Sequence, residues 1–514
     1  MSLQNLPYSH RVSTGDQARE ADRKTIELFG MNGFTLMETA GLQAAQFISG
    51  KSGPGAVGLY VCGKGNNGGD ALVIARYLAI HQNHTCHIIF PAGKDSLSPD
   101  AQKNLELLLK LRSQNEPVHF HEQGVGTDEN SDDCLSAAYL MGGAVDYVVD
   151  GLLGTGLSDN LRPPYISAVT EINRLTCPVY SVDIPTGLHA DTGKAMPDAV
   201  HADYTLSFGT LKVGFYLHDG RQYTGEIRQF NLSFPKSYRP ATAELITPDL
   251  DKVIPHISRF AEHKYSDRIL YLIAGSEGLT GAAVMAAASG WRTGTGAVIL
   301  ITPKGLLGIY EKTLPGIIKS PVGTGRDTFF KEGHQEKVLD ILKRKKGVLL
   351  IGPGLGSRDT TLRFTERILS GFEQDTVIDA DALRAVPDLP VNRNWILTPH
   401  PGEARKLHGK SFEDDFERLQ WAADYSKQRS LYMVSKGNPV FIGTPEGKNY
   451  LTGYDTRIFA RAGFGDVLSG KIAGNLAISG DIELSIVRAL IDGYRTAERI
   501  RLTSGRPLEP NDLI

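Results

Sequence analysis

Residues 57–80 read VGLYVCGKGNNGGDALVIARYLAI, a short apolar run, a glycine-rich loop and then a helical pattern. The same alternation recurs in HTCHIIFPA (84–92), VDYVV (145–149) and PVYSVD (178–183). Apolar runs that end in Gly or Asp and feed helices predict a parallel sheet with crossover helices. After Leu232 the pattern gives way to SFPKSYRPATAELITPD, where Pro235, Pro240 and Pro248 break a polar stretch, which predicts a linker. A second series starts at ILYLIA (269–274) and continues through AVILIT, VLLIGPG, TVIDAD, WILTPH, LYMVSKG and PVFIGT to the helical DVLSGKIAGNLAI (466–478). The expected layout is an α/β chain of two domains, 1–235 and 251–514, joined by a linker at 236–250.

Composition agrees with that layout. A chain of 514 residues is too long for one ordinary core, and 56 glycines supply the many tight turns an α/β fold needs. A net charge of −3 gives no basic field to hold a polyphosphate backbone, so nucleic acid is not an expected partner. Cys62, Cys86, Cys134 and Cys177 show neither CxxC spacing nor a cluster with His, and are expected to be reduced thiols. The start of the chain lacks a signal-peptide pattern, and no run approaches the roughly 18 to 20 apolar residues of a membrane span. A cytoplasmic protein without a membrane partner is expected.

The loop CGKGNNGGD (62–70) joins a predicted strand to a predicted helix, so its N–H groups and the helix N-terminus can cradle a phosphate; a tight turn would explain it as well. Gly63, Gly65 and Gly68 satisfy GxGxxG, yet no Asp or Glu occurs between Ala71 and Lys94 to hold a cofactor ribose, which disfavours a dinucleotide oxidoreductase. A P-loop is rejected, because Gly65 stands where Ser or Thr would hold magnesium. Two further loops, DGLLGTGL (150–157) and DIPTGLHADTG (183–193), follow strands of the same sheet. Loops after the carboxyl ends of parallel strands converge on one crevice, which would gather Asn67, Asp150, Asp183 and Thr186. Their amide, carboxylate and hydroxyl oxygens suit a hard cation, and an Asp beside it can move a proton; each Asp alone also reads as a loop cap.

With LMETAG (36–41), GNNGGD (65–70), DGLLGTGL, DIPTGL and FGTLKVG (208–214) in this order, residues 10–235 resemble the amino-terminal domain of NAD(P)H-hydrate epimerases, a Rossmann-like three-layer αβα fold. The resemblance implies a potassium ion at Asn67, Asp150 and Thr186. It implies a hydrated nucleotide along Asn66, Asn67, Gly68, Gly69 and Asp70, along Gly154, Thr155, Gly156, Leu157, Ser158, Asp159 and Asn160, and at Asp183, the expected proton-transfer residue. Thr39 departs from the family's usual Asn, Ala71 from Gly and Thr186 from Ser.

The second half carries AGSEGLTGAAVMAA (274–287), IGPGLG (351–356), VIDADAL (377–383), LTPHPGEARKL (397–407), VSKGNPVFI (434–442) and ARAGFGDVLSGKIAG (460–474). In the last, a glycine-rich turn opens into a helix, aiming N–H groups and the positive dipole end at an anion, with Asp466 placed to take a proton from a hydroxyl. That is a layout for phosphoryl transfer; an Asp466 that merely caps the helix is the alternative.

This set resembles the ADP-dependent NAD(P)H-hydrate dehydratases, a branch of the ribokinase-like superfamily with an αβα fold, over about residues 250–505. The resemblance implies that Gly356, His400 and the catalytic Asp466 face the hydrated nucleotide, while Lys436, Gly437, Asn438, Pro439, Val440 and Gly465 contact the adenylate part of ADP. His400 can equally tie down its own loop. Asp379 and Asp381 are either structural or close to the magnesium that accompanies the nucleotide. Phe464 departs from a usual small Ser inside the anion-binding turn, HKYSD (263–267) lacks the usual glycines, and Ala274 replaces a Gly.

Together the two resemblances imply repair of hydrated NADH and NADPH. The first domain interconverts the R and S hydrates; the second uses ADP to return the S form to NAD(P)H, leaving AMP and phosphate. Relatives of this kind assemble into homo-oligomers. Two rivals stand beside this expectation: a small-molecule kinase of the ribokinase-like superfamily, and a regulatory nucleotide-binding protein whose dehydratase site has decayed around Phe464.

Overall fold

The computed structural model describes residues 11–121, 145–257, 268–390 and 393–514; Cys134 and HKYSD lie outside them. The chain divides into two compact units near residue 243. Among the described residues, no helix is long and apolar enough to cross a membrane.

The first unit opens with β1 (Arg11–Ser13) and is built on β2 (Val57–Cys62), β3 (Thr85–Ile89), β4 (Val118–His121), β5 (Tyr147–Gly151), β6 (Val179–Val182), β7 (Tyr204–Phe208), the short β8 (Leu211–Lys212) and β9 (Glu226–Phe230). Its 7-stranded sheet has the order β4-β3-β2-β5-β6-β7-β9, with every pairing parallel. The winding reverses between β2 and β5, which opens a crevice beyond their carboxyl ends. Helices cover both faces. Leu72, Ile74 and Leu108 pack against one side of the sheet, and Val169 and Ile172 pack with Leu59, Val61 and Val148 on the other. The register Asp150↔Ser181 sets these two polar side chains beside each other at the rim of the crevice.

In the second unit come β10 (Ala243–Ile246), β11 (Ile269–Ile273), β12 (Val298–Pro303), β13 (Ile318–Val322), β14 (Gly347–Ile351), β15 (Thr376–Ile378), β16 (Trp395–Leu397), β17 (Tyr432–Ser435), β18 (Phe441–Gly443) and β19 (Asn449–Thr452). They run β13-β12-β11-β14-β15-β16-β17-β18-β19-β10, parallel through β17 and then antiparallel at β18 and β19. The stretch 236–250, expected as a linker, carries structure. Glu244 pairs with Tyr450, and buried Arg488 bonds to the Ile254 and Pro255 carbonyls just beyond, so backbone pairing overrode the proline-rich composition.

The helices Thr280–Arg292 and Phe464–Ser479 meet through glycine. A Cβ on Gly470 would lie 2.3 Å from the Ala286 carbonyl oxygen, and one on Gly474 2.5 Å from that of Gly290. Backbone cannot yield as a side-chain tip can. Gly470→Val is therefore expected to destabilise this unit by about 2–3 kcal/mol, read as a lower thermal midpoint for its unfolding.

Candidate functional site

Each unit presents its own site. In the first, Asp150 at the end of β5 is wholly buried. Its Oδ2 accepts from Ser181 Oγ at 2.7 Å and from the Thr186 N–H at 2.9 Å, and its Oδ1 from Thr186 Oγ1 at 2.7 Å. Burial pushes the Asp150 carboxyl up, and the Thr186 and Ser181 donors pull against it. Asn67, in the first turn of the helix Asn66–Gln82, is 8% exposed, and its amide nitrogen is buried without a hydrogen-bond partner. A Cβ on Gly154 would lie 3.5 Å from Asn67 Oδ1, so the loop after β5 runs directly past that amide.

Close packing requires two of the loop glycines. A Cβ on Gly63 would sit 1.8 Å from the Leu152 carbonyl oxygen, and one on Gly68 2.0 Å from that of Gly63. Gly69 likewise turns its α-carbon toward Met37, so Gly68 and Gly69 can offer a ligand only main chain. Gly65, by contrast, faces open space, and no side chain caps the helix that follows it. The other expected nucleotide contacts are spread along the surface. Asn66, Gly156, Ser158, Asp159 and Asn160 are exposed, Leu157 packs against the core, and the Thr155 carbonyl accepts from Arg19 at 2.5 Å.

Asp183 follows β6 with φ of 63°, a left-handed conformation that costs a non-glycine residue of order 1 kcal/mol, and its Oδ1 accepts from the Phe208 N–H at 3.2 Å. Its Oδ1 accepts from Lys212, whose ammonium is 1% exposed and also donates to Ser207 Oγ at 3.2 Å. Sequence reasoning passed over Lys212 although FGTLKVG contained it; a lysine inside an apolar run was the signal. Thr39 spends its hydroxyl on the Thr35 carbonyl, and Ala71 fits tightly against Gly151.

In the second unit a cavity of about 550 Å³ opens at the N-terminus of the helix Phe464–Ser479. His400, Glu403, Lys436, Gly437, Asn438, Val440, Gly465 and Asp466 line it, as do Asp379, Ala380 and the apolar Tyr454, Leu468 and Leu490. Gly463 caps the helix at φ of 97°, and no side chain bonds across its first turn. The capping role considered for Asp466 is therefore not the one observed: its carboxyl stands in the cavity wall. Burial, then the charge of Asp379, pushes that carboxyl up to about 7, against the pull of Lys436.

Lys436 Nζ lies 2.8 Å from Asp379 Oδ1, which also accepts from Thr398 Oγ1 at 2.7 Å. The ammonium is 3.2 Å from where a Cβ on Gly465 would be, so it stands beside the first turn of the helix Phe464–Ser479. Asp379 Oδ2 is buried without a hydrogen-bond partner. Ala380 at φ of 48° separates it from Asp381, whose Oδ2 accepts from the Gly356 N–H at 2.8 Å. Gly356 is thus tied to Asp381 and is not among the residues lining the cavity.

His400 is half of each reading. Its Nδ1 accepts from the Gly402 N–H at 3.0 Å, capping the helix Pro401–His408, while its ring remains exposed at the cavity wall. The loop from Lys436 to Val440 is knit by buried Arg418, which donates to the Lys436 carbonyl at 3.1 Å and the Pro439 carbonyl at 3.0 Å. Asn438 Oδ1 accepts from the Thr456 N–H at 2.9 Å. Arg418 was missed because its motif contains nothing but a helical pattern. Phe464 is 4% exposed and packs with Val467, Ala497 and Leu508, edge-on to Phe459 at 5.6 Å between ring centroids. The ring is absorbed by an apolar cluster and walls the cavity without filling the turn.

Cys62 and Cys86 are buried, free thiols, and burial pushes Cys86 up to about 12, so they stay unreactive.

Comparison with known proteins follows the same division. A family model described as the YjeF-related protein N-terminus matches residues 33–214, and one described as NAD(P)H-hydrate dehydratase matches residues 270–513. The bifunctional NAD(P)H-hydrate repair enzyme Nnr of Salinibacter ruber is 33% identical, covering 98% of this chain and 94% of its own. The Thermofilum pendens protein of the same name is 32% identical over 90% and 87%. A solved ADP/ATP-dependent NAD(P)H-hydrate dehydratase from Bacillus subtilis, co-crystallised with ATP/Mg2+, is 25% identical with a TM-score of 0.45, covering 52% of this chain and 94% of that one. Matched along nearly its whole length, in both units and in order, this chain belongs to the family of bifunctional NAD(P)H-hydrate repair enzymes.

Proposed function

We propose that the chain repairs hydrated NADH and NADPH by a division of labour between its two sites. The first unit interconverts the R and S epimers at the ring carbon bearing the hydroxyl. The second takes the S form and ADP. Asp466 removes the hydroxyl proton, the terminal phosphoryl group of ADP passes to the oxygen, and AMP is left. Loss of phosphate together with a proton from the adjacent ring carbon then restores the ring double bond, a step hydroxide could not make because it leaves poorly.

The observation that carries this reading is the N-terminus of the helix Phe464–Ser479, which no side chain caps, facing one cavity with the Asp466 carboxyl and the Lys436 ammonium. Main-chain N–H groups and an ammonium offset the charge of a moving phosphoryl group. A carboxyl poised near 7 exchanges a proton readily at neutral pH. The apolar lining from Tyr454, Leu468 and Leu490 suits an adenine ring.

For the first unit, a potassium ion fits the donors present. Asn67, Asp150 and Thr186 supply hard oxygens, and an Asn67 amide turned to present its oxygen inward would relieve the buried nitrogen that now lacks a partner. When bound, such an ion would offset the charge of the buried Asp150 carboxylate. Replacing potassium with tetramethylammonium is expected to slow epimerisation at least ~10-fold and to leave dehydration of the S epimer within twofold. The chromatographic ratio of epimers with time checks this. In the second unit the unpartnered Asp379 Oδ2 and the nearby Asp381 fit a magnesium ion accompanying ADP.

The test is to supply the pure S hydrate with ADP and follow the reduced-nicotinamide absorbance and free phosphate together. Equal recovery of both is expected; a stable phosphorylated product would make the second unit a kinase instead.

A further inference from the structure

The first helix of the described chain, Gly15–Glu27, is fastened to the epimerase site by one face. Gly15 N–H donates to Asp191 Oδ1 at 2.6 Å, and one turn on Arg19 donates to the Thr155 carbonyl in the loop after β5. Asp22, at the next position of the same i, i+4, i+7 face, is thereby carried toward the carboxyl ends of β5 and β6. There it meets charges from three other elements: Asp183 after β6, Lys212 in β8 and Asp70 in the helix Asn66–Gln82.

Lys212 can neutralise only one of these carboxyls, and its ammonium bonds to Asp183. Asp183 is thus engaged by that ammonium, which leaves the site in need of a separate proton carrier. We propose that Asp22 is that carrier, the acid–base residue of epimerisation, with Asp183 as the fixed counter-charge. The inference rests on the epimerase reading of this unit. Asp22 is exposed, so a proton lost there can be replaced from solvent. Crowding by the walls of the crevice, and then the charge of Asp183, push its carboxyl up to about 7, against the pull of Lys212. Asp70 is pushed up as well, first by burial and then by Asp183 and Asp22.

The step balances with water alone. The Asp22 carboxylic acid gives its proton to the ring hydroxyl, the carbon–oxygen bond breaks, and water leaves. The ring nitrogen lone pair closes onto the carbon to give a planar iminium cation, opposite Asp183. Water then adds to either face of that cation, and the Asp22 carboxylate takes back the proton. Both epimers are reached from one intermediate, with no oxidant or reductant.

The test uses the full chain without ADP, so that the second unit idles, and follows pure S hydrate equilibrating to the R/S mixture. Asp22→Asn is expected to lower kcat for equilibration at least ~100-fold with KM within about threefold, and to remove the fall in rate as pH rises through about 7. Asp22→Glu should restore part of the rate and the alkaline fall. Dehydration of the S form with ADP should be unchanged in both variants, which reports intact protein. Asp22→Asn equilibrating within threefold of the natural protein, or losing only KM, overturns the role of Asp22 alone. A natural protein that equilibrates the epimers no faster than buffer overturns the epimerase reading and this inference together.

Discussion

Asp466→Asn is expected to lower ADP-dependent dehydration by about 1,000-fold, within the usual range for removal of a positioned general base, while epimerisation is untouched. The amide keeps the shape of the carboxyl and the packing of the turn, so ADP affinity should change little. The pH dependence follows from the sign of the shift. A base acts in its ionised form, and Asp466 is held up near 7 by burial and by Asp379. Dehydration by the natural protein should therefore rise with pH through about 7 and level off above it. In Asp466→Asn the residual rate should lose that rise. Stopped assays for free phosphate between pH 5.5 and 8.5 check both statements.

Lys436→Met should cost more than catalysis. Asp379 is 1% exposed, and Lys436 is the cation bonded to it; Met fills the volume but leaves a buried carboxyl without a counter-charge. Breaking a buried pair from one side destabilises by about 3–5 kcal/mol, so a lower unfolding midpoint of the second unit is expected. The same substitution removes the ammonium beside Gly465 and should reduce kcat/KM with ADP at least ~100-fold. Asp379→Asn with Lys436→Met should recover much of the stability, because the uncompensated charge is gone, yet little of the activity. Recovery of both would show that the ammonium acts only through Asp379.

The alternation of apolar runs with glycine-rich loops made both α/β units legible, and the strands at 57, 147, 179, 269, 347 and 376 stand where those runs were quoted. β10 was hidden because a strand at the border of a unit shows its pairing only in space; three prolines nearby made it look like a linker. Acids beside glycine-rich turns at the carboxyl ends of strands and the starts of helices stand out in sequence, so Asp150, Thr186, Asp183 and Asp466 could be named from it. Their partners could not. Lys212 sits in a two-residue strand, and Arg418 lies on a helix whose charged pattern looks like any solvated face; only tertiary packing turns those two side chains inward. Phe464 was the opposite case, a departure in sequence whose ring is received in the structure by Val467, Ala497 and Leu508.

The central claim is that the turn at Gly463–Asp466 and the Lys436 ammonium hold a phosphoryl group that is transferred and then expelled in one site. Its most direct measurement gives the natural protein an equal mixture of R and S hydrates with excess ADP and counts NAD(P)H, AMP and phosphate at completion. The account predicts full consumption of both epimers and one AMP and one phosphate for each reduced nucleotide recovered. AMP formed without matching phosphate and NAD(P)H, or reduced nucleotide recovered without AMP, would contradict it.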